Sequence, residues 1–391
     1  MRNRRLIASI TTSMVFAAIL VAPSIAAGNP KNNCVAVDGD YIVVLNKGVS
    51  VANDIKNVNG RDVSPKYTYD SVFNGYSAFL TADQVCHLQK RPTVSLVEAD
   101  GEVSIQDVQS PTPSWGLDRI DQQTVDLTSV SQNQYAFASQ GTGIKVFVVD
   151  TGINTKSTDF ETRILPGFSA IGGGSIEDCN GHGTHVSGTI GGKIYGVAKQ
   201  VNIVPVRVLG CNGSGTNSGV IAGLNWIGNN STAGRSVVNM SLGSPGSTTV
   251  DAAVNTLIER KVVVVVAAGN STKDACIYSP ARVPLAITVA ASDSADNFAS
   301  YSNYGTCIDI IAPGSNIKSD WIKGSTATKT ISGTSMASPH VAGAVARYLS
   351  SSTPSTNATV AVDLQTDSTK DAVKNVRTDT LNNLLYIAPT K

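Results

Sequence analysis

Hydrophobic and polar positions alternate with several different periods along the 391 residues of the chain. Residues 6–21 form an apolar run broken only by Ser and Thr, behind Arg2, Arg4 and Arg5. Residues 40–45 (DYIVVL) predict a strand and 49–58 a helix. Residues 67–71 and 75–80 predict two strands split by the turn signal Asn74-Gly75. Thr81-Ala82-Asp83-Gln84 has the capping-box pattern that opens a helix, and 94–98 reads as a further strand. Beyond residue 113, short apolar runs alternate with helical patterns, as in an α/β fold around a mostly parallel sheet. Its clearest strands are 144–149, 201–208, 237–240 and 262–266. The last is five consecutive valines, a run suited to a strand covered on both faces.

These patterns imply three parts. The basic start, the apolar run and the small residues Ser24, Ala26 and Ala27 follow the order of a secretory signal, expected to span 1–27 and to be removed. The run falls short of the ~20 firmly apolar residues that span a bilayer, and no later segment is longer, so no membrane contact is expected after its removal. The β-α-β-β-α-β order of 28–107 is the ferredoxin-like α+β arrangement. Glycine separates this segment from the rest: six in 28–107, 29 in 108–343 and none in 344–391. Ser110-Pro111-Thr112-Pro113 is linker-like, so the expected parts are 1–27, 28–107 and 108–391.

Composition narrows the function. A net charge of +1, from 30 basic and 29 acidic residues, argues against a nucleic-acid partner, which would require a basic excess. The six cysteines contain no C-x-x-C spacing, so disulfides in an oxidising compartment are the first reading, with 15 possible connectivities. There are four histidines, His87, His182, His185 and His340, and any imidazole chemistry must use one of them.

In open α/β sheets functional groups gather at the carboxyl ends of strands. Asp150 ends one apolar run, Ser241-Leu242-Gly243 follows another, and Asn270 follows the valine strand through Ala267-Ala268-Gly269. Taken alone, Asp150 fits a helix cap as well as a carboxylate that orients a histidine. Glycines on both sides of His182 allow close backbone approach at a helix start. His185, one turn on, reads as a hydrogen-bonded core histidine. The pair could alternatively hold a metal, but neither an H-E-x-x-H motif nor a third ligand accompanies it. Pro339 is expected in the first turn of a buried helix, which puts Ser335 at the helix N-terminus, where N–H groups favour developing negative charge. Asp150, His182 and Ser335, in that order, form a constellation in which a carboxylate orients an imidazole that activates a hydroxyl. Asn270 adds a side-chain donor for an oxyanion.

The segments VVDTGI, GHGTHVSG, NMSLG, AAGN and GTSMASPHVAG resemble the signature blocks of subtilisin-like serine proteases. WGLDRID, DCNGHGTHVSGTIGG, VRVLGCNGSG, YSPARV and FASYSNYGTCIDIIAPG are more narrowly similar to the proteinase K branch, nearest its aqualysin-type secreted members. FNGYSAFLT, within 40–107, resembles the inhibitory propeptide of that family.

The resemblance implies a three-layer subtilisin-like fold with a mostly parallel central sheet, preceded by the small ferredoxin-like propeptide. It implies a secreted, monomeric serine endopeptidase that acts on proteins and peptides and cuts itself free of its propeptide near Asp107–Val108. Asp150, His182 and Ser335 become the triad and Asn270 the oxyanion residue. Gly213-Ser214-Gly215 and Ser241-Leu242-Gly243 become two edges for an extended substrate. Ala267-Ala268-Gly269 lines a pocket for large apolar or aromatic side chains. Asn217 stands where the proteinase K branch has a tyrosine over the fourth subsite.

The resemblance also pairs Cys179 with Cys211 and Cys276 with Cys307, leaving Cys34 and Cys86 outside the mature enzyme. It implies structural calcium, held by Asp309 with the carbonyls of Pro284 and Ala286, and at a second site by Asp118, Asp121 and Gln122. An inactive relative that only binds peptides would lack a triad or oxyanion residue, and none is missing.

Overall fold

In the computed structural model, residues 34–104, 108–109, 114–123, 135–351 and 356–388 are described. The expected signal, 1–27, and the linker 110–113 lie outside these residues.

The N-terminal segment contains β1 (Gly39–Leu45), α1 (Val51–Asp54), β2 (Tyr67–Tyr69), β3 (Gly75–Leu80), α2 (Ala82–Leu88) and β4 (Val94–Ala99). Its sheet order β2-β3-β1-β4 is that of a ferredoxin-like unit. The expected capping box is present: the Thr81 hydroxyl accepts from the Gln84 N–H, and the Gln84 side chain accepts from the Thr81 N–H. The first helix is a single turn rather than the ten residues expected. Asn57, Asn59 and Gly60 take positive φ (54°, 52° and 83°), which turns the chain back on itself at Val58 and Arg61 and ends the helix early. His87 lies part-exposed on α2.

Two short strands, β5 (Glu102–Ser104) and β6 (Val108–Gln109), lead to α3 (Gly116–Ile120). Next come β7 (Lys145–Asp150), β8 (Phe168–Ser169), α4 (His182–Gly191), β9 (Asn202–Arg207), β10 (Ser214–Thr216) and α5 (Asn217–Asn230). The middle of the domain holds β11 (Ser236–Met240), β12 (Ser244–Pro245), α6 (Thr248–Glu259), β13 (Val263–Ala267), β14 (Tyr278–Ser279) and β15 (Ile287–Ser292). It closes with β16 (Ile310–Pro313), β17 (Ile317–Asp320), β18 (Thr328–Ser332), α7 (Thr334–Ser351), α8 (Asn357–Asp367), β19 (Thr369–Lys370) and β20 (Asn383–Leu384).

The main sheet has nine strands in the order β19-β20-β16-β15-β13-β11-β7-β9-β8, parallel except at β19. The valine strand is buried on both faces, as its composition predicts. Val263 and Val265 join the core under α4 and α7, while Val264 and Val266 join the core under α5 and α6. Three layers result, and the carboxyl ends of β7, β11 and β13 share one rim.

The N-terminal sheet covers α5 and α6. Ile42, Tyr69 and Val72 belong to the same buried cluster as Leu224, Ile227, Ala253 and Leu257. The Cys179–Cys211 and Cys276–Cys307 bonds are both present. Cys34 and Cys86 are also disulfide-bonded, with no free cysteine among the described residues.

Candidate active site

Asp150 is fully buried at the end of β7, where its Oδ1 accepts from the Thr151 N–H at 2.7 Å. His182 is the first residue of α4, also fully buried, and its Nδ1 lies 2.8 and 3.0 Å from the two Asp150 oxygens. Two glycines permit this approach. Gly181 takes φ 111° with the Trp321 ring against its α carbon, and a Cβ at Gly183 would meet the Gly152 carbonyl oxygen at 2.3 Å. Burial pushes the Asp150 carboxyl up from the ordinary carboxylate range, while the His182 ring and the Thr151 N–H pull it back.

Asp178, to which the sequence analysis assigns no role, holds this arrangement together. Its Oδ1 accepts from the Thr151 hydroxyl and from the N–H groups of Asn180 and Gly181, each at 2.9 Å. Its Oδ2 accepts from the Thr184 N–H at 3.0 Å and the Thr184 hydroxyl at 2.6 Å. The Thr151 hydroxyl in turn accepts from the Gly183 N–H at 2.9 Å. One carboxylate thus ties the residue after Asp150 to the first turn of the helix carrying His182 and satisfies N–H groups that a helix start leaves open.

Ser335 is the second residue of α7, beside α4. Pro339 is the sixth residue of the helix rather than part of its first turn. A proline there removes the N–H that the Ser335 carbonyl would accept. The Ser241 hydroxyl takes its place, donating to Ser335 O at 2.9 Å, and the Ser335 hydroxyl donates to Ser241 O at 3.2 Å. Asn239 Nδ2 donates to the Ser241 hydroxyl at 2.9 Å, and the Ser338 hydroxyl donates to Asn239 Oδ1 at 2.8 Å. Ser241, expected along a substrate edge, is fully buried and braces Ser335 from below.

Asn270 Oδ1 accepts from the N–H and the hydroxyl of Thr334, both at 2.8 Å, and the Thr334 hydroxyl accepts from the Gly269 N–H at 3.0 Å. These bonds fix the amide plane and turn its NH2 end to the opposite side. Asn270 and Ser335 line one recess. Its walls are Leu242, Gly243, Ala267, Ala268, Gly269, Tyr278, Ser279, Ala281 and Thr334, none of them charged. Of these, Tyr278, Ser279, Ala281 and Thr334 are additions that the strand-end argument does not supply. The first three lie in YSPARV, one of the segments similar to the proteinase K branch.

The remaining histidines sit in the core or on the surface. His185 Nε2 meets the Ile317 carbonyl at 2.9 Å and His340 Nδ1 the Met336 carbonyl at 2.8 Å. Burial pushes these imidazoles down to about 3 and about 4, so both stay neutral.

Two N-terminal segments approach this rim. β5 pairs antiparallel with β10, Ser104 opposite Ser214 and Val103 opposite Gly215. β6 pairs with β18, Val108 opposite Ser332, three residues before Ser335. Acidic side chains from the same segment meet helix starts. Asp100 accepts from the Ser218 N–H and hydroxyl at α5, and Glu98 accepts from the Ser247 hydroxyl and from the Thr249 N–H (2.9 Å) at α6. Asn217 is buried, and its N–H donates to the Gly101 carbonyl at 2.6 Å.

Among the described residues no cluster of three or more His, Cys, Asp or Glu side chains forms a metal site, and no helix is long and apolar enough to cross a membrane. Asp309 Oδ2 accepts from the Thr288 N–H at 2.8 Å, next to the chain carrying Pro284 and Ala286. Burial pushes its carboxyl up to about 6, relieved only by that N–H. Asp121 Oδ2 accepts from the Ala136 N–H at 2.7 Å, while its Oδ1 is buried with no hydrogen-bond partner among the described residues. Gln122 Nε2 donates to Asp118 at 2.9 Å.

Residues 141–384 match the subtilase family and residues 40–106 match the peptidase inhibitor I9 family. The chain is 51% identical over 319 residues to an extracellular serine proteinase of Thermus sp. (strain Rt41A), covering 81% of this chain and 76% of that protein. It is 44% identical over 324 residues to alkaline serine exoprotease A of Vibrio alginolyticus, covering 81% of this chain and 59% of that one. The crystal structure of a cold adapted subtilisin-like serine proteinase superposes with a TM-score of 0.66 at 48% identity, over 70% of this chain and 97% of the other.

Proposed function

The chain belongs to the subtilase family and is a serine endopeptidase with an I9-type inhibitor propeptide, and from that premise we propose that Asp150, His182 and Ser335 cut peptide bonds through an acyl-enzyme. The observation that carries this reading is the two-oxygen grip of Asp150 on His182 Nδ1, beside a helix start that presents Ser335 and Asn270 to one recess. The Ser335 oxygen attacks the substrate carbonyl carbon while His182 Nε2 takes the hydroxyl proton, and Asp150 stabilises the resulting imidazolium. The carbonyl oxygen becomes an oxyanion facing the Ser335 N–H and the Asn270 amide NH2. Collapse breaks the C–N bond as His182 returns the proton to the leaving amine. Water then repeats the sequence and releases the acid.

The uncharged recess supports a preference for large apolar or aromatic side chains before the cut. An extended substrate adds as a strand to β10, as β5 does. Self-processing is supported by the same pairing. The chain is held on β10 up to Ser104 and on β18 from Val108, whose partner Ser332 stands three residues before Ser335. A cut at Asp107–Val108 would separate an inhibitory propeptide, 28–107, from a peptidase domain, 108–391, after the signal 1–27 directs secretion. Calcium fits Asp309 with the Pro284 and Ala286 carbonyls, because a buried carboxylate with one N–H partner suits a hard cation. Asp121 Oδ1, buried and without a hydrogen-bond partner among the described residues, supports a second ion with Asp118 and Gln122. Bound calcium would supply rigidity and take no part in the bond cleavage.

The test is Ser335→Ala. It should leave an uncut precursor that hydrolyses neither casein nor a phenylalanyl anilide peptide, a loss on the order of 10⁶ in turnover. A fluorophosphonate should label the native enzyme on Ser335 by mass spectrometry. A variant that still matures and cleaves peptide overturns the assignment.

A further inference from the structure

Pro339 stands inside α7, four residues after Ser335. The bond that would hold the Ser335 carbonyl within its own helix therefore has no donor, and the proline ring crowds that carbonyl outward. A closed ring of side chains between the helix and the strand β11 holds it instead. The Ser338 hydroxyl donates to Asn239 Oδ1 (2.8 Å), Asn239 Nδ2 donates to the Ser241 hydroxyl (2.9 Å), and that hydroxyl donates to Ser335 O (2.9 Å). Each bond leaves the next group one role. With Oδ1 taken by Ser338, the Asn239 amide presents its NH2 to Ser241, and with its oxygen accepting, Ser241 turns its single proton to Ser335 O. Asn239, Ser241 and Ser338 are fully buried, and Met336 and Ala337 beside them belong to the apolar core. Asn239 itself lies in register with Val148 of β7 on one side and Val265 of β13 on the other, so the ring is anchored in the middle of the sheet.

We propose that Asn239 and Ser338 are positioning residues for the nucleophile: acting through the Ser241 hydroxyl, they replace the helix bond that Pro339 removes and fix Ser335 to the strand whose continuation, Leu242-Gly243, lines the substrate recess. This rests on the reading of Ser335 as the nucleophile. The spacing between Ser335 and the recess wall is then set by a sheet strand and not by the flexing of the first turns of α7. On the other side, the Thr334 N–H and hydroxyl are held by Asn270 Oδ1. The Ser335 peptide is thereby fixed at both ends, and its N–H and the Asn270 amide keep their places before substrate arrives, as donors to a developing oxyanion must.

A double-mutant cycle tests the ring, because Pro339→Ala supplies the missing N–H to Ser335 O without touching the substrate edge. Full-length chains carry Ser241→Ala, Pro339→Ala or both, with Asn239→Ala alone and with Pro339→Ala as a second pair. Any precursor that does not mature alone is cut by immobilised parent enzyme. Ser241→Ala should lower kcat on a small anilide peptide roughly 10- to 100-fold, with KM within about twofold of the parent. In the Pro339→Ala background the same substitution should cost less than about threefold, and Asn239→Ala should follow the same pattern. An equal loss of kcat in both backgrounds overturns the proposal, as does a loss carried by KM, which would return Ser241 to the substrate edge alone. If Ser241→Ala by itself yields no folded enzyme, recovery of active enzyme on adding Pro339→Ala supports the ring, and failure of that pair overturns it. Failure of the catalytic reading is a different result: a native enzyme that a fluorophosphonate leaves unlabelled at Ser335.

Discussion

Replacing Asp320 by asparagine should change how stability depends on pH. Asp320 ends β17, 2% exposed, with Oδ1 accepting from the Ser157 hydroxyl at 3.0 Å and Oδ2 given no donor among the described residues. The group opposite it is Asp159, itself buried, with Arg163 and Tyr195 close by. Arg163 does not bridge the pair, because its Nη1 and Nη2 donate to the carbonyls of Gly191, Val201 and Asp159. Burial first, and the neighbouring Asp159 carboxylate second, push the Asp320 carboxyl up to about 8. Its native value therefore lies above its unfolded one, and the native state holds a proton that the unfolded chain releases near pH 4. The stabilisation tied to that proton is complete below pH ~4 and is lost as pH rises to ~8, at ~1.4 kcal/mol per pH unit. Between pH 5 and 7 the loss is ~3 kcal/mol, or roughly 6 °C in Tm for a domain of this size. Asparagine carries a permanent donor toward Asp159 in place of the proton. Asp320→Asn should match the parent near pH 5 and exceed it progressively up to pH 8. Melting of the mature, fluorophosphonate-inactivated enzyme, which cannot digest itself, measures the difference. Parallel Tm profiles for parent and variant across pH 5–8 would refute the shared proton.

Two further predictions concern the supports of the peptidase domain. Removing calcium with a chelator should lower stability by an amount set by ion occupancy, about 2.7 kcal/mol at a hundredfold excess over Kd, read as a fall in Tm, and Asp309→Asn should lose most of this response. An undiminished chelator effect in Asp309→Asn would remove that residue from the proposed calcium site. Replacing both Cys179 and Cys211 by serine opens a 32-residue loop. That should cost ~3–4 kcal/mol in the chain-entropy view, read as a shift of the denaturant midpoint.

Much of the site is legible in the sequence because its chemistry sits where local pattern changes. An apolar strand that stops at Asp150, two glycines around His182 and a small-residue run around Ser335 are each local features, and their order along the chain names the constellation. Strand positions are legible for the same reason. A valine run buried on both faces has no other stable placement, so its expected and observed bounds differ by one residue. Where several structures suit the same local pattern, the expectation shifts. The helix expected over 49–58 stops at Asp54, because asparagines 57 and 59 take left-handed backbone.

Other contributions depend on partners brought together only by folding. Ser241 reads as a substrate edge in sequence, yet tertiary packing turns its hydroxyl onto the carbonyl that Pro339 leaves without a donor, 94 residues away. Asp178 looks like an ordinary loop acid until five donors converge on it. The Asp159–Asp320 pair and the grip of Asn225 on the turn at Ser71 join segments more than 150 residues apart, so no periodicity records them. The sequence by itself determined the layers and the family and nominated the candidate reacting groups, because burial pattern and local motif encode them. Tertiary structure alone decided how those groups are held and how the propeptide is gripped, because hydrogen bonds between distant segments exist only once the sheet has brought them within 3 Å of each other.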